Sequence, residues 1–186
     1  MRQVTLQYKK LFPDSQIPFK KRAKDSGFDV FVHGFRGAYL HDSTKGEDLY
    51  EPLPNGEIPG VSVLDVNGKV LAIILNPNER VLVGTGLACT VKTPDASLYE
   101  LQVRPRSGNS WEMALDIINS PGTVDNPYTG EVKIIIRNGS NRAQTITVGD
   151  KIAQLVPMEI PDTLLEEVEE LQETDRGANG LGSSGR

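Results

Sequence analysis

The amino-acid sequence predicts an all-β fold, and three observations carry that prediction. Short stretches rich in Val, Ile, Leu and Thr alternate in character. Turn-forming residues, 18 Gly and 12 Pro in 186, punctuate them. An Asn-Gly pair joins two of the stretches. In chain order, residues 61–66 and 69–74 flank Asn67-Gly68 and predict a β-hairpin, because both turn positions tolerate positive φ. Glu100-Leu101-Gln102-Val103-Arg104 alternates strictly, and Val132, Ile134 and Ile136 share one face of a second segment. Thr145-Ile146-Thr147-Val148 alternates again, so all three segments read as half-buried strands. Leu164, Leu165, Val168 and Leu171 recur at helical spacing among glutamates and are compatible with a helix too short to stand alone. The glycine-dense terminus from Arg176 is expected to be a mobile arm.

Composition bounds the function. With 38% hydrophobic residues, 24% charged and a net charge of −5, the chain is expected to be one compact domain with a core, not disordered throughout. The slight acidity argues against a broad footprint for nucleic acid or anionic lipid, while leaving room for a local phosphate pocket. The longest apolar run, residues 70–75, is far short of the roughly 18 residues of a membrane helix, and the first residues open no signal peptide. The expectation is a soluble, cytoplasmic protein without membrane or nucleic-acid partners. Cys89 is the only cysteine and His33 and His41 the only histidines, so a metal would be held mainly by oxygen. Cys89 is expected to be a buried thiol, both histidines surface residues, and Trp111 a packed or interface ring.

Three segments carry chemistry. Arg104-Pro105-Arg106-Ser107-Gly108 follows a strand and combines guanidinium charge, a hydroxyl and a glycine that admits close backbone approach, which are phosphate-binding parts. Taken alone it more often describes a strand end with a surface arginine and a turn. The stretch from Asn119 to Val132 places an amide, the Asp125 carboxylate and the Tyr128 ring in one turn. That carboxylate is able to orient or deprotonate water, but an Asp before Asn-Pro also forms turns for their own sake. The terminal arm offers Arg176, Ser183, Ser184 and glycine amides to an anion, and is equally readable as a solvated tail. The basic run Lys20, Lys21, Arg22 and Lys24 reads as a solvated loop.

In order along the chain, five segments resemble the five motifs of the trimeric dUTPase family. They are Ala23-Lys24-Asp25-Ser26-Gly27-Phe28-Asp29-Val30, Pro105-Arg106-Ser107-Gly108, the turn and strand from Gly122 to Asn138, Gly149-Asp150-Lys151-Ile152-Ala153-Gln154-Leu155, and the Arg176 arm. The resemblance implies a distorted jelly-roll (β-clip) subunit of a homotrimer, with sites built from more than one subunit. It implies hydrolysis of dUTP to dUMP and pyrophosphate, with Mg²⁺ carried by the triphosphate. By the motif match, Asp125 activates the water and Asp29 steers the metal through water. Arg106, Ser107, Gly108 and Gln154 hold the phosphates, Asn119 reads uracil, and Tyr128 lies under the deoxyribose. Arg176, Leu181, Ser183 and Ser184 belong to the closing arm.

Two departures from the family pattern stand out. Leu181 occupies the place where most members carry an aromatic that stacks on uracil. Residues 34–74 lie where typical members have a short link, so the β domain, residues 1–171, is expected to be interrupted there by a hairpin-bearing insertion ahead of the arm at 172–186. With six acidic against three basic residues the insertion is mildly acidic, and it is either decorative or a surface for a protein partner. Some viral members carry an insertion here, which makes a phage origin, and so a host cytoplasmic location, plausible. The alternatives are a dCTP deaminase or bifunctional relative, and a regulatory protein of the same fold acting through residues 34–74.

Overall fold

The structure is a computed structural model that describes residues 3–42, 47–52, 62–65, 67–95 and 98–178. Among them the chain forms β1 (Thr5–Lys10), β2 (Phe28–Phe31), β3 (Gly34–Asp42), β4 (Glu47–Pro52), β5 (Ser62–Leu64), β6 (Val70–Leu75), β7 (Arg80–Gly84), β8 (Leu87–Lys92) and β9 (Leu98–Pro105). Then follow α1 (Ser107–Met113), β10 (Leu115–Ile117), β11 (Gly122–Asp125), β12 (Lys133–Asn138), β13 (Gln144–Thr147) and β14 (Lys151–Ile160). All pairings are antiparallel. They run β10-β12-β7-β3-β4 in one sheet, β11-β9-β14-β2 in a second and β13-β6-β5 in a third, with β1 on β8. Most neighbours are distant in sequence, the crossing connectivity of a jelly roll.

Alternation explains the core. Val81 and Val83 of β7 and Ile134 and Ile136 of β12 point inward, as do Leu101 and Val103 of β9, all at most 3% exposed. With Val30, Leu155, Ile73 and Leu75 they form one buried cluster. The predicted strands are found as β9, β12 and β13. The Asn67-Gly68 hairpin is also present, joining β5 to β6, but with one difference. Only Gly68 takes positive φ (79°), and the turn is widened because the Asp65 carboxylate accepts the amides of Asn67 and Lys69 at 2.8 and 2.9 Å.

Several expectations need correction. Residues 164–171 form no helix, and Leu164, Leu165 and Leu171 are more than 85% exposed, so no buried stripe offsets the cost of helix nucleation. Among the described residues the one helix, α1, arises where a turn was expected. Of residues 34–74, the two described ends are built into the body of the fold. Gly34–Tyr39 pairs with β7, β6 pairs with β13, and Phe35, Ala38, Val70 and Ile73 are core residues. Trp111 is 90% exposed on α1 and so is not packed within the protomer. His33 is less exposed than expected of a surface residue: its side chain is 14% exposed and stacks on Phe12 at 4.4 Å. Cys89 is buried as expected. Among the described residues, no helix is long and apolar enough to cross a membrane.

Candidate active site

A cavity of about 550 Å³ opens at the ends of β2, β9 and β14. Its floor is Asp29, placed by β2 against Gln154 of β14, which in turn faces Arg104 of β9. The Asp29 Oδ1 accepts hydrogen bonds from Arg106 Nε at 3.1 Å and Gln154 Nε2 at 3.3 Å, and Lys151 Nζ lies 3.2 Å from Oδ2. Arg106 stands between β9 and α1 in extended conformation. Its Nη1 is tied to the Lys151 carbonyl at 3.2 Å and to Asn109 Oδ1 at 3.4 Å, which aims the guanidinium across the cavity wall. Ser107 and Gly108 are exposed in the first turn after it. Gly27 is needed for close approach, since a Cβ there would sit 3.0 Å from the Gln154 Cβ.

Residues 20–27 loop over the cavity between the Phe19 and Asp29 backbones, which exchange hydrogen bonds of 3.0 and 2.7 Å. Lys21 and Lys24 of this loop are exposed, as expected of a solvated basic run, and they also line the cavity. With Arg106 against Asp25 and Asp29, the lining is net cationic, and Lys151 adds to it from behind Asp29. Burial alone would raise the Asp29 carboxyl. The hydrogen bond from Lys151, the Arg106 charge, and bonds from Gln154 and Arg106 together outweigh it and hold the group below its ordinary range. Lys21, Lys24, Asn109 and Lys151 are the residues sequence reasoning missed. For Lys151 the signal was its place beside Gln154 in the fourth segment.

Asn119, Asp125 and Tyr128 gather elsewhere. Asp125 ends β11 and is exposed, Asn119 packs on the bare backbone of Gly122, and the Tyr128 amide donates to the Asp125 carbonyl at 2.9 Å. Asn126 anchors this turn to β8 by bonds of 2.6 and 3.0 Å with the Val91 backbone. Asp125 pairs with Glu100, whereas Asp29 lies on the row of Gln154 and Arg104. Three strand spacings across and four residues along therefore separate Asp125 from Asp29 by about 20 Å. One protomer does not bring the two groups together. Arg176 is exposed in a stretch without regular structure, and Leu181, Ser183 and Ser184 lie outside the described residues.

Among the described residues, no cluster of three His, Cys, Asp or Glu side chains is placed to hold a metal ion. Asp29 has both oxygens engaged by protein donors, so it suits a hydrated ion met through water better than one bound directly.

Comparison with known proteins is consistent with this geometry. The family model described as dUTPase matches residues 51–185. The deoxyuridine 5'-triphosphate nucleotidohydrolase of Bdellovibrio bacteriovorus is 41% identical over 143 residues, covering 76% of this chain and 93% of that protein. That of Fusobacterium nucleatum is 42% identical over 135 residues, covering 72% and 90%. Among solved structures, a dUTPase variant of Staphylococcus bacteriophage 80alpha bound to dUpNHpp superposes with a TM-score of 0.68 at 23% identity, over 98% of this chain and 99% of that one. A dUTPase variant of phage phi11 of S. aureus, described as coordinating a structural Mg(II) ion, has a TM-score of 0.62 at 22% identity, over 91% and 99%. A jelly roll with a cationic cavity floored by an aspartate, matched over most of its length by the family model and by curated relatives, belongs to the dUTPase family.

Proposed function

We propose that this chain hydrolyses dUTP to dUMP and pyrophosphate at sites shared between the subunits of a homotrimer. One observation carries the reading: Asp29, Arg106 and Gln154 are hydrogen-bonded into one cationic cavity in a chain of the dUTPase family. The cavity suits the triphosphate. Arg106 and Gln154 face it, Ser107 and Gly108 adjoin it, and together they neutralise charge and fix the approach to the α-phosphorus. Asp125 takes a proton from the attacking water. Asn119 pairs with the uracil edge, and Tyr128 underlies the deoxyribose, where it crowds a 2′-hydroxyl. Arg176, Leu181, Ser183 and Ser184 close over the bound nucleotide. Magnesium, when bound on the triphosphate, supplies charge neutralisation and polarises the phosphoryl group. Asp29 orients its water shell. The about 20 Å between Asp125 and Asp29 within one chain supports a site completed by a second protomer. Among the described residues, no feature favours the deaminase alternative.

Purified protein given dUTP, dTTP, dCTP and UTP with Mg²⁺ is expected to release pyrophosphate selectively from dUTP. Equal or absent hydrolysis of all four would refute the reading. Asp125→Asn is expected to retain dUTP binding while losing on the order of 10²- to 10⁴-fold in turnover.

A further inference from the structure

We propose that Arg36 and Glu131, outside the substrate cavity, form a clamp that positions Tyr128 and thereby sets how strictly the enzyme rejects a 2′-hydroxyl. This rests on the reading that Tyr128 underlies the sugar. The argument starts at a bulge. The register of β3 against β7 slips between Phe35 and Gly37, so Arg36 is the extra residue and its side chain leaves the ladder. It turns to Glu131, where Nε meets Oε2 at 2.9 Å and Nη2 meets Oε1 at 2.8 Å, a two-pronged ion pair. The Gly86 amide donates to the same Oε1 at 2.9 Å. The guanidinium is fixed from its other sides as well, by His33 Nδ1 at 3.4 Å and by the Phe12 ring, whose centroid is 5.7 Å away.

The Glu131 side chain is only 11% exposed and its carboxylate is held at both oxygens, which limits how far its backbone shifts. To that backbone the substrate-facing ring is tethered: the Tyr128 hydroxyl donates to the Glu131 carbonyl at 3.0 Å. Tyr128 is 44% exposed, and its hydroxyl lies over Gly130, where a Cβ would collide with it. The ring's position therefore follows that of Glu131. Space for the clamp comes from Gly84 of β7, where an added Cβ would fall 2.6 Å from Glu131 Oε1 and 2.7 Å from Arg36 Cζ. Both atoms are ends of flexible side chains, so a methyl group there shifts the pair without removing either partner.

The test compares kcat/KM for dUTP and UTP in the full-length enzyme and in Arg36→Met, Gly84→Ala, Tyr128→Phe and the Arg36→Met/Tyr128→Phe double variant. The wild type should prefer dUTP, and each single variant should lose about tenfold of that preference, as expected when a pocket that crowds a hydroxyl is loosened. Because Arg36 acts through the tyrosine tether, the double variant should discriminate no worse than the weaker single one. Losses that multiply in the double variant would overturn the proposal. So would an unchanged preference in Gly84→Ala, which remains decisive if Arg36→Met does not fold. A wild type that hydrolyses dUTP but does not distinguish it from UTP would instead refute the sugar role of Tyr128 on which the clamp rests.

Discussion

Asp29→Asn tests whether the cavity floor is held by charge or by shape. The substitution preserves the outline of the side chain but removes the negative charge facing Arg106 and Lys151. Hydrogen bonds involving charged groups contribute about 1.5 to 3 kcal/mol each, and breaking a fully buried pair costs about 3 to 5. The Arg106 and Lys151 side chains are 28% and 37% exposed, so water compensates part of the loss. About 2 kcal/mol is therefore expected, a drop in Tm of roughly 4 to 8 °C for a domain of this size. The sign of the pH dependence follows from the lowered carboxyl pKa. The stabilisation is fully present above the unfolded-state value, taken as 3.8, and is lost as pH falls through the lower folded value. Thermal unfolding of wild type and variant from neutral to acid pH should thus show curves that converge at the acid end. Equal Tm at neutral pH, or a gap that persists undiminished in acid, would refute the electrostatic account.

Other consequences can be measured independently. Replacing Lys21 and Lys24 by Gln should lower kcat/KM for dUTP by about tenfold at low ionic strength and flatten its salt dependence, read from steady-state kinetics across a salt series. Burial pushes the Cys89 thiol up to about 11, so native protein should resist alkylation at neutral pH and react after unfolding, as followed by intact mass. Leu155→Ala, at a fully buried position in the middle of β14, should cost about 2 to 5 kcal/mol in denaturant unfolding.

What the sequence disclosed and what it hid follow from the range of the interactions involved. β9, β12 and β13 were legible because each buries one face and so alternates. The hairpin at Gly68 was legible because its turn chemistry is local. The motif segments located Asp29, Arg106 and Gln154, which the fold brings into one cavity. Helix α1 was hidden because Ser107-Gly108-Asn109-Ser110 has weak helix propensity, and tertiary contacts hold it in place: Asn109 donates to the Lys151 and Ile152 carbonyls and Met113 packs on the core. Residues 34–39 and 70–74 looked like an insertion because their partners, β7 and β13, are remote in sequence, and pairing across that distance leaves no local pattern. The Arg36–Glu131 pair spans 95 positions and was invisible for the same reason.

The distance between Asp125 and Asp29 turns the question of assembly into one about activity. If each site takes the Asp125 turn from one protomer and the Arg106 cavity from another, then Asp125→Asn and Arg106→Ala chains are each inactive alone, yet assemblies formed from both are not. In a random equal mixture, roughly a quarter of the sites would draw both intact halves and regain turnover. Were the two halves to serve the same site from one chain, every chain would carry a defect and mixing would restore nothing. The exposed Leu164, Leu165 and Leu171 bear on the same point. An isolated protomer would leave them in water, whereas a chain end passing onto a neighbour would bury them, so dilution that dissociates the assembly should abolish turnover and expose this segment to proteolysis together.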